Sequence, residues 1–167
     1  MRDRFWGSGV ALLVFLLDQA VKWFVTGPLN LREVGQVYLL PFFQFTYTQN
    51  IGISLGLLNA TTETGRWMLV ALTSAIALGV GFWISREKNR VDQVALGMVL
   101  GGALGNILDR VRHGYVVDFL DLHFGDFRPF LVFNVGDAAI SIGVVILLVR
   151  AFLMRERDEP KESVENA

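Results

Sequence analysis

Between Gly101 and Asp137 the chain reads GGALGNILDRVRHGYVVDFLDLHFGDFRPFLVFNVGD, and this stretch gathers Asn106, Asp109, Arg110, Asp118, Asp121, Asn134 and Asp137. It opens inside one strongly apolar segment and closes at the mouth of another. Acids and amides are costly at membrane depth, so they mark functional-site candidates by default. Asp118, in VVDF, stands in an apolar, strand-like context with no basic neighbour. Asp137 stands at the start of a helical segment, where the helix dipole favours a carboxylate. Two carboxylates brought together share one proton: the ionised one draws a proton from water while its protonated partner polarises a scissile carbonyl. Helix capping by Asp137 with surface exposure of Asp118 is the competing reading, and the residues alone leave both open. Asp121 and Asp126 read as exposed loop acids.

Other chemistries have fewer residues to work with. There is no cysteine, which excludes disulfides, thiolate metal sites and a cysteine nucleophile. His113 and His123 are the only histidines, and no HExxH occurs, which speaks against a metalloprotease. A serine–lysine pair would need Lys22 with Ser54, but Asp18 lies one helical turn before Lys22 and argues against a neutral amine. No glycine loop suited to phosphate is present. A net charge of -1 gives no field that would attract nucleic acid.

The frame that must position these groups is membranous. The 167 residues are 53% hydrophobic and only 19% charged, too apolar for an ordinary soluble domain. Four stretches reach the ~20 apolar residues that a span requires, at about 5–25, 67–84, 91–108 and 138–154. Residues 1–154 form one membrane domain in this reading, and 155–167 a polar, disordered tail. A cleaved signal peptide is disfavoured for the first span, because Asp18 and Lys22 interrupt it and no A-x-A-like site follows. Lys and Arg number nine at the termini and the loop between spans two and three, against six elsewhere. The positive-inside rule then puts both termini in the cytoplasm. The two longer connections lie outside. VYLLPFFQFTYTQN in the first, and GYVVDFLDLHF and FRPFLVF around a Gly-Asp turn in the second, read as short strands of a small external sheet. NATTETGRW reads as a loop or short interfacial helix ending at Trp67.

At ~1.5 Å per residue, Asp18 lies about 20 Å along the first span, and Asn106 and Asp109 about 22 and 27 Å along the third. Asp137 opens the fourth from the outer side. Separate elements thus deliver polar groups to the outer third of the membrane. Asp18 and Lys22, spaced i, i+4, share a helix face and read first as a structural ion pair. Gly97, Gly101 and Gly105 form a small-xxx-small stripe for close packing. Arg110 is open to two readings, contact with a substrate carbonyl or a tie between loop and helix. Asp109 reads as a partner for Arg110 or a cap on a backbone turn. Asn50, with Gly52 leaving room beside it, either holds a peptide backbone or makes a plain turn. Asn134 reads as the cap of the fourth helix.

DQAVK at 18–22, NIGIS at 50–54, GGALGNILDR at 101–110, VVDF at 116–119 and FNVGD at 133–137 occur in this order. Together with four spans and this length, they closely resemble the lipoprotein signal peptidases (signal peptidase II). The resemblance implies an α-helical integral membrane protein, with four transmembrane helices, a small extracytoplasmic β-cradle and a short interfacial helix. It implies an aspartic endopeptidase of the bacterial cytoplasmic membrane that cuts before the lipidated cysteine of diacylglyceryl-modified prolipoproteins. The implied partners are that substrate and membrane lipid, with no cofactor or metal, and the enzyme acting as a monomer. The catalytic pair falls on Asp118 and Asp137. The supporting residues fall on Asp18, Lys22, Asn50, Gly52, Asn106, Asp109, Arg110 and Asn134. The pattern departs from the family at Gly136, where alanine is usual, and at NIGISL, where NxGAAF is frequent. Without the resemblance, a proton-coupled transporter and a non-enzymatic adaptor remain as rivals. The former would need polar groups continuing toward the cytoplasmic half.

Overall fold

The computed structural model describes residues 5–52 and 62–158, with side chains to 154. Four long helices carry the apolar sequence. They are α1 (Trp6–Thr26), α3 (Glu63–Arg86), α4 (Arg90–His113) and α5 (Val135–Asp158). Each is long and apolar enough to cross a bilayer. Helices α3, α4 and α5 run beyond the apolar stretches expected for them, while α1 matches its stretch in length; at α3 and α4 polar caps mark the longer start. The Thr62 side chain accepts from Gly65 N–H at the start of α3, and the Asn89 side chain accepts from Val91 and Asp92 N–H at the start of α4. NATTETGRW, expected as a loop or short interfacial helix, supplies from Glu63 onward the first turn of α3; residues 59–61 lie outside the described residues. A one-turn helix, α2 (Leu31–Val34), follows α1 instead.

Helix α4 is the centre of the bundle and packs on α1, α3 and α5. Its spanning window is 44% buried, against 11–22% for the others. Its glycines permit this, as the stripe suggested. A methyl group at Gly97 or Gly101 would run into the α1 backbone at Gly7 and Ala11, and one at Gly102 into the α5 backbone at Gly136. The outward faces, with Leu12, Leu16, Ile76, Phe82, Leu148 and Phe152 exposed, suit lipid.

Three strands sit at the bundle end where α1 and α4 finish and α5 begins. They are β1 (Gln36–Leu40), β2 (Phe43–Asn50) and β3 (Val116–Leu122), antiparallel in the order β1-β2-β3. Gly114, at φ +84°, ends α4 in the left-handed region and turns the chain straight into β3. Val117 and Phe119 of β3 pack with Val25 of α1 and Leu31 of α2, seating the sheet on the bundle. The Gly-Asp turn forms as expected, with Phe124 and Phe127 bridged across it. FRPFLVF does not become a strand. Apart from Phe127 at the turn, Phe133 alone pairs, with Leu120, because the chain must turn at once into α5.

Candidate active site

The site is built where α1, α4, β2, β3 and the start of α5 meet. Asp118 points inward from β3 and is 1% exposed. Its Oδ1 accepts from Asn134 Nδ2 at 2.6 Å and its Oδ2 from Asn50 Nδ2 at 3.0 Å. Asp137 lies in the first turn of α5. Its Oδ1 accepts from Asn106 Nδ2 at 2.8 Å and its Oδ2 from the Asn134 backbone N–H at 3.2 Å. Each carboxylate therefore receives two N–H donors, and Asn134 contacts both acids. Asn134 also caps α5 as expected. Its Oδ1 accepts from Asp137 N–H at 2.9 Å, reciprocating the bond that the Asp137 side chain makes to its own N–H.

Three asparagines thus hold the two acids, and each is oriented by a donor that can bond only oxygen. Asn50 Oδ1 accepts from Gly52 N–H at 3.1 Å, so its amide nitrogen faces Asp118. Asn134 Oδ1 is held by Asp137 N–H, so its nitrogen also faces Asp118. Asn106 Oδ1 accepts from Lys22 Nζ at 3.0 Å, which turns its nitrogen to Asp137.

Lys22 is the hub behind this layer. Besides Asn106, it contacts Asp18 Oδ2 at 2.8 Å and Asp109 Oδ2 at 2.9 Å, all essentially buried. A buried ion cluster carries a desolvation penalty that further hydrogen bonds must offset. Here Asp18 Oδ1 accepts from Gly136 N–H at 2.9 Å, and Asp109 Oδ2 from Val117 N–H at 3.1 Å. The expected Asp18–Lys22 pair is therefore present and enlarged. Asp109 caps the turn into β3, while its charge partner is Lys22 and not the adjacent Arg110. Gln19, which the sequence reading passed over, donates to Asp109 Oδ1 at 3.0 Å and lies 3.3 Å from Asp18 Oδ2. Its place beside Asp18 in DQAVK was the available signal. Ser54 and Leu55 lie outside the described residues, and Lys22 is bound to two carboxylates, so a serine–lysine arrangement gains no support.

Asp118, Asn50, Gly52 and Arg110 line one cavity of about 420 Å³, together with Leu131 and Val132. Arg110 Nη1 donates to Asn106 O at 3.4 Å, and its buried Nε has no hydrogen-bond partner among the described residues. Asp137 faces a second cavity of about 270 Å³ with Phe130, Phe133 and Ile142 in its walls. Burial pushes the Asp118 carboxyl up to about 6, with the charge of Asp137 adding to it, against the downward pull of the Asn50 and Asn134 hydrogen bonds and of Lys22. No cluster of metal-ligating side chains occurs among the described residues. Asp126 is exposed as expected, but Asp121 is not. Asp121 is 1% exposed, accepts from Gln44 Nε2 at 2.8 Å and Thr46 Oγ1 at 2.9 Å, and pairs with Arg128 Nε at 3.4 Å. The pairing of β2 with β3 places it opposite Gln44, which covers it.

The model of the family described as Signal peptidase (SPase) II matches residues 10–153. The chain is 56% identical over 159 residues to a lipoprotein signal peptidase of Rhizorhabdus wittichii, covering 95% of this chain and 92% of that one. It is 56% identical over 147 residues to that of Sphingopyxis alaskensis, covering 88% and 85%. Against that of Beijerinckia indica, identity is 41% over 165 residues, covering 99% and 98%. Among solved structures it resembles a bacterial membrane enzyme determined by the in meso method at 2.3 Å, with a TM-score of 0.76, 27% identity and coverage of 93% and 92%. A second such structure, at 1.9 Å, gives a TM-score of 0.74, 27% identity and coverage of 87% and 91%. With its four membrane-spanning helices, the chain is a bacterial membrane peptidase and belongs to the signal peptidase II family.

Proposed function

We propose that the chain is an aspartic endopeptidase that removes the signal peptide from diacylglyceryl-modified prolipoproteins, cutting before the lipidated cysteine. Asp118 and Asp137 are the catalytic pair. The observation that carries this reading is Asn134, whose side-chain amide donates to the Asp118 carboxylate while its backbone N–H donates to the Asp137 carboxylate. The pair titrates as a unit with one shared proton. Asp118, whose proton is retained to about 6, holds that proton, and Asp137 is the base. Asp137 takes a proton from water as the water oxygen attacks the scissile carbonyl carbon, and Asp118 gives its proton to the carbonyl oxygen. The resulting gem-diol collapses, with a proton passing to the leaving nitrogen. Neither step calls for a metal or an organic cofactor.

Asn50, Gly52 and Arg110 hold the substrate backbone in the cavity that Asp118 faces. The substrate comes sideways from the bilayer, and the enzyme acts as a monomer. Residues up to 154 form one peptidase domain. Both termini face the cytoplasm and the sheet faces outward, in line with Arg86, Lys88 and Arg90 between α3 and α4.

The test is cleavage of a diacylglyceryl-modified precursor in detergent by Asp118→Asn and Asp137→Asn, each checked for thermal unfolding. Both variants should fold and lose cleavage. Retained cleavage by either one sinks the dyad.

A further inference from the structure

A separate cavity of about 450 Å³ opens among the last turns of α1, helix α2, strand β2 and the end of α4. Three cationic side chains from three elements line it, Lys22, Arg32 and Arg112, against one carboxylate, Asp109. The charge of Lys22 is already engaged by Asp18 and Asp109. Arg32 and Arg112 are exposed at the mouth and make no ion pair among the described residues. The hydroxyls of Tyr47 and Tyr115, 3.3 Å apart, add hydrogen-bonding groups to the same wall. A cation in the last turn of a helix is favoured by the dipole, which accounts for Arg112 by itself. Helix α2 has only four residues, too short a dipole to account for Arg32, which converges on the same cavity.

The depth of the cavity suggests the kind of anion. Helix α4 has 24 residues. At ~1.5 Å per residue that is about 36 Å, longer than the ~30 Å hydrocarbon core. Arg112 near its end therefore emerges at the level of the headgroups. Trp23, 69% exposed on the rim, is of the type that anchors at that level.

We propose that this cavity binds the phosphate of an anionic glycerophospholipid, with Arg32 and Arg112 as its ligands and the acyl chains running along α1 past Trp23. Guanidinium forks suit phosphate oxygens. The cavity is distinct from the one Asp118 faces, so a bound lipid leaves the peptide groove free.

The test uses the full chain in nanodiscs of phosphatidylcholine alone, of phosphatidylcholine with a minority of phosphatidylglycerol, and of phosphatidylcholine with inorganic phosphate in solution. Retained phosphatidylglycerol is measured by native mass spectrometry and stability by thermal unfolding. Phosphatidylglycerol should bind and raise the unfolding temperature. Arg32→Gln and Arg112→Gln should each weaken its binding about tenfold, while Arg86→Gln, at the other end of the bundle, should not. If Arg86→Gln loses as much, or neither cavity variant loses any, the site is overturned. If inorganic phosphate stabilises and phosphatidylglycerol does not, the lipid assignment is overturned. Should a glutamine variant fail to fold, Arg32→Lys and Arg112→Lys keep the charge without the fork, and unchanged binding in them overturns the proposal. The readout is binding, so it does not pass through catalysis.

Discussion

Asn50→Ala separates a residue that tunes Asp118 from one that only touches substrate. The substitution removes one of the two N–H donors to the Asp118 carboxylate. Asp118 is held up at about 6 by burial first and by the charge of Asp137 second, and Asn50 acts against both. A hydrogen bond to a charged group contributes about 1.5–3 kcal/mol, and one pKa unit corresponds to about 1.4 kcal/mol. Losing the bond should therefore raise the upper ionisation of the pair by about one to two units. In the proposed mechanism the active form carries one proton on the pair, so the alkaline limb of kcat/KM reports its loss. In a fluorogenic lipopeptide assay run across the acidic and neutral range, the Asn50→Ala limb should move to higher pH while its plateau falls. Gln49→Ala is the control, since Gln49 lines the same cavity and its side chain bonds Tyr47, not Asp118. Whatever its plateau, its limb should stay in place. An Asn50→Ala limb that stays in place, or moves to lower pH, refutes the reasoning.

Lys22→Met leaves two buried carboxylates without their cation and should cost about 3–5 kcal/mol in thermal or denaturant unfolding. Cleavage should fall with it, because Asn106 loses the donor that turns its amide toward Asp137. Gly105→Ala drives a methyl group into the Asp18 carboxylate and should cost about 1–3 kcal/mol by the same measurement. The folded chain keeps the Asp118 proton to about 6, against an ordinary 3.8. In that window the folded state binds more protons than the unfolded one, so this group's contribution lowers stability as pH rises from about 4 through about 6. Asp118→Asn should flatten that part of a stability–pH curve measured by denaturant unfolding.

The spans were legible because a bilayer imposes length and polarity on each helix separately. The ion pair of Asp18 with Lys22 was legible because i, i+4 spacing is local. What escaped depends on contacts across the chain. In VVDFLDL, Asp118 and Asp121 are three apart and so point to opposite faces of β3. A strand buried on one face would expose one of them, which is why Asp121 read as a solvent-facing acid. Both are buried because the bundle and α5 cover one side, while Gln44 and Thr46, on a strand more than seventy residues earlier, close over the other. The partner of Asp109 escaped for the same reason. Arg110 is adjacent in sequence, but Lys22 arrives on another helix. FRPFLVF has a strand's composition without a strand's partner, since only Phe133 meets β3.

The Lys22 hub also bears on how such a chain gets into a bilayer. Helix α1 is made first and carries two charges within a membrane-spanning length, long before α4 with Asp109 exists. The i, i+4 spacing of Asp18 and Lys22 gives the nascent helix its own counterion, so α1 can be inserted as an electrically balanced rod. When α4 arrives, its stripe of glycines lets Asp109 and Asn106 reach the same ammonium group. The bond from Gly136 N–H to Asp18 then closes the cluster only once the last span is in place. The residue at the centre of the finished cluster thus begins as the counterion within the first helix, and the cluster is complete only once α5 has arrived.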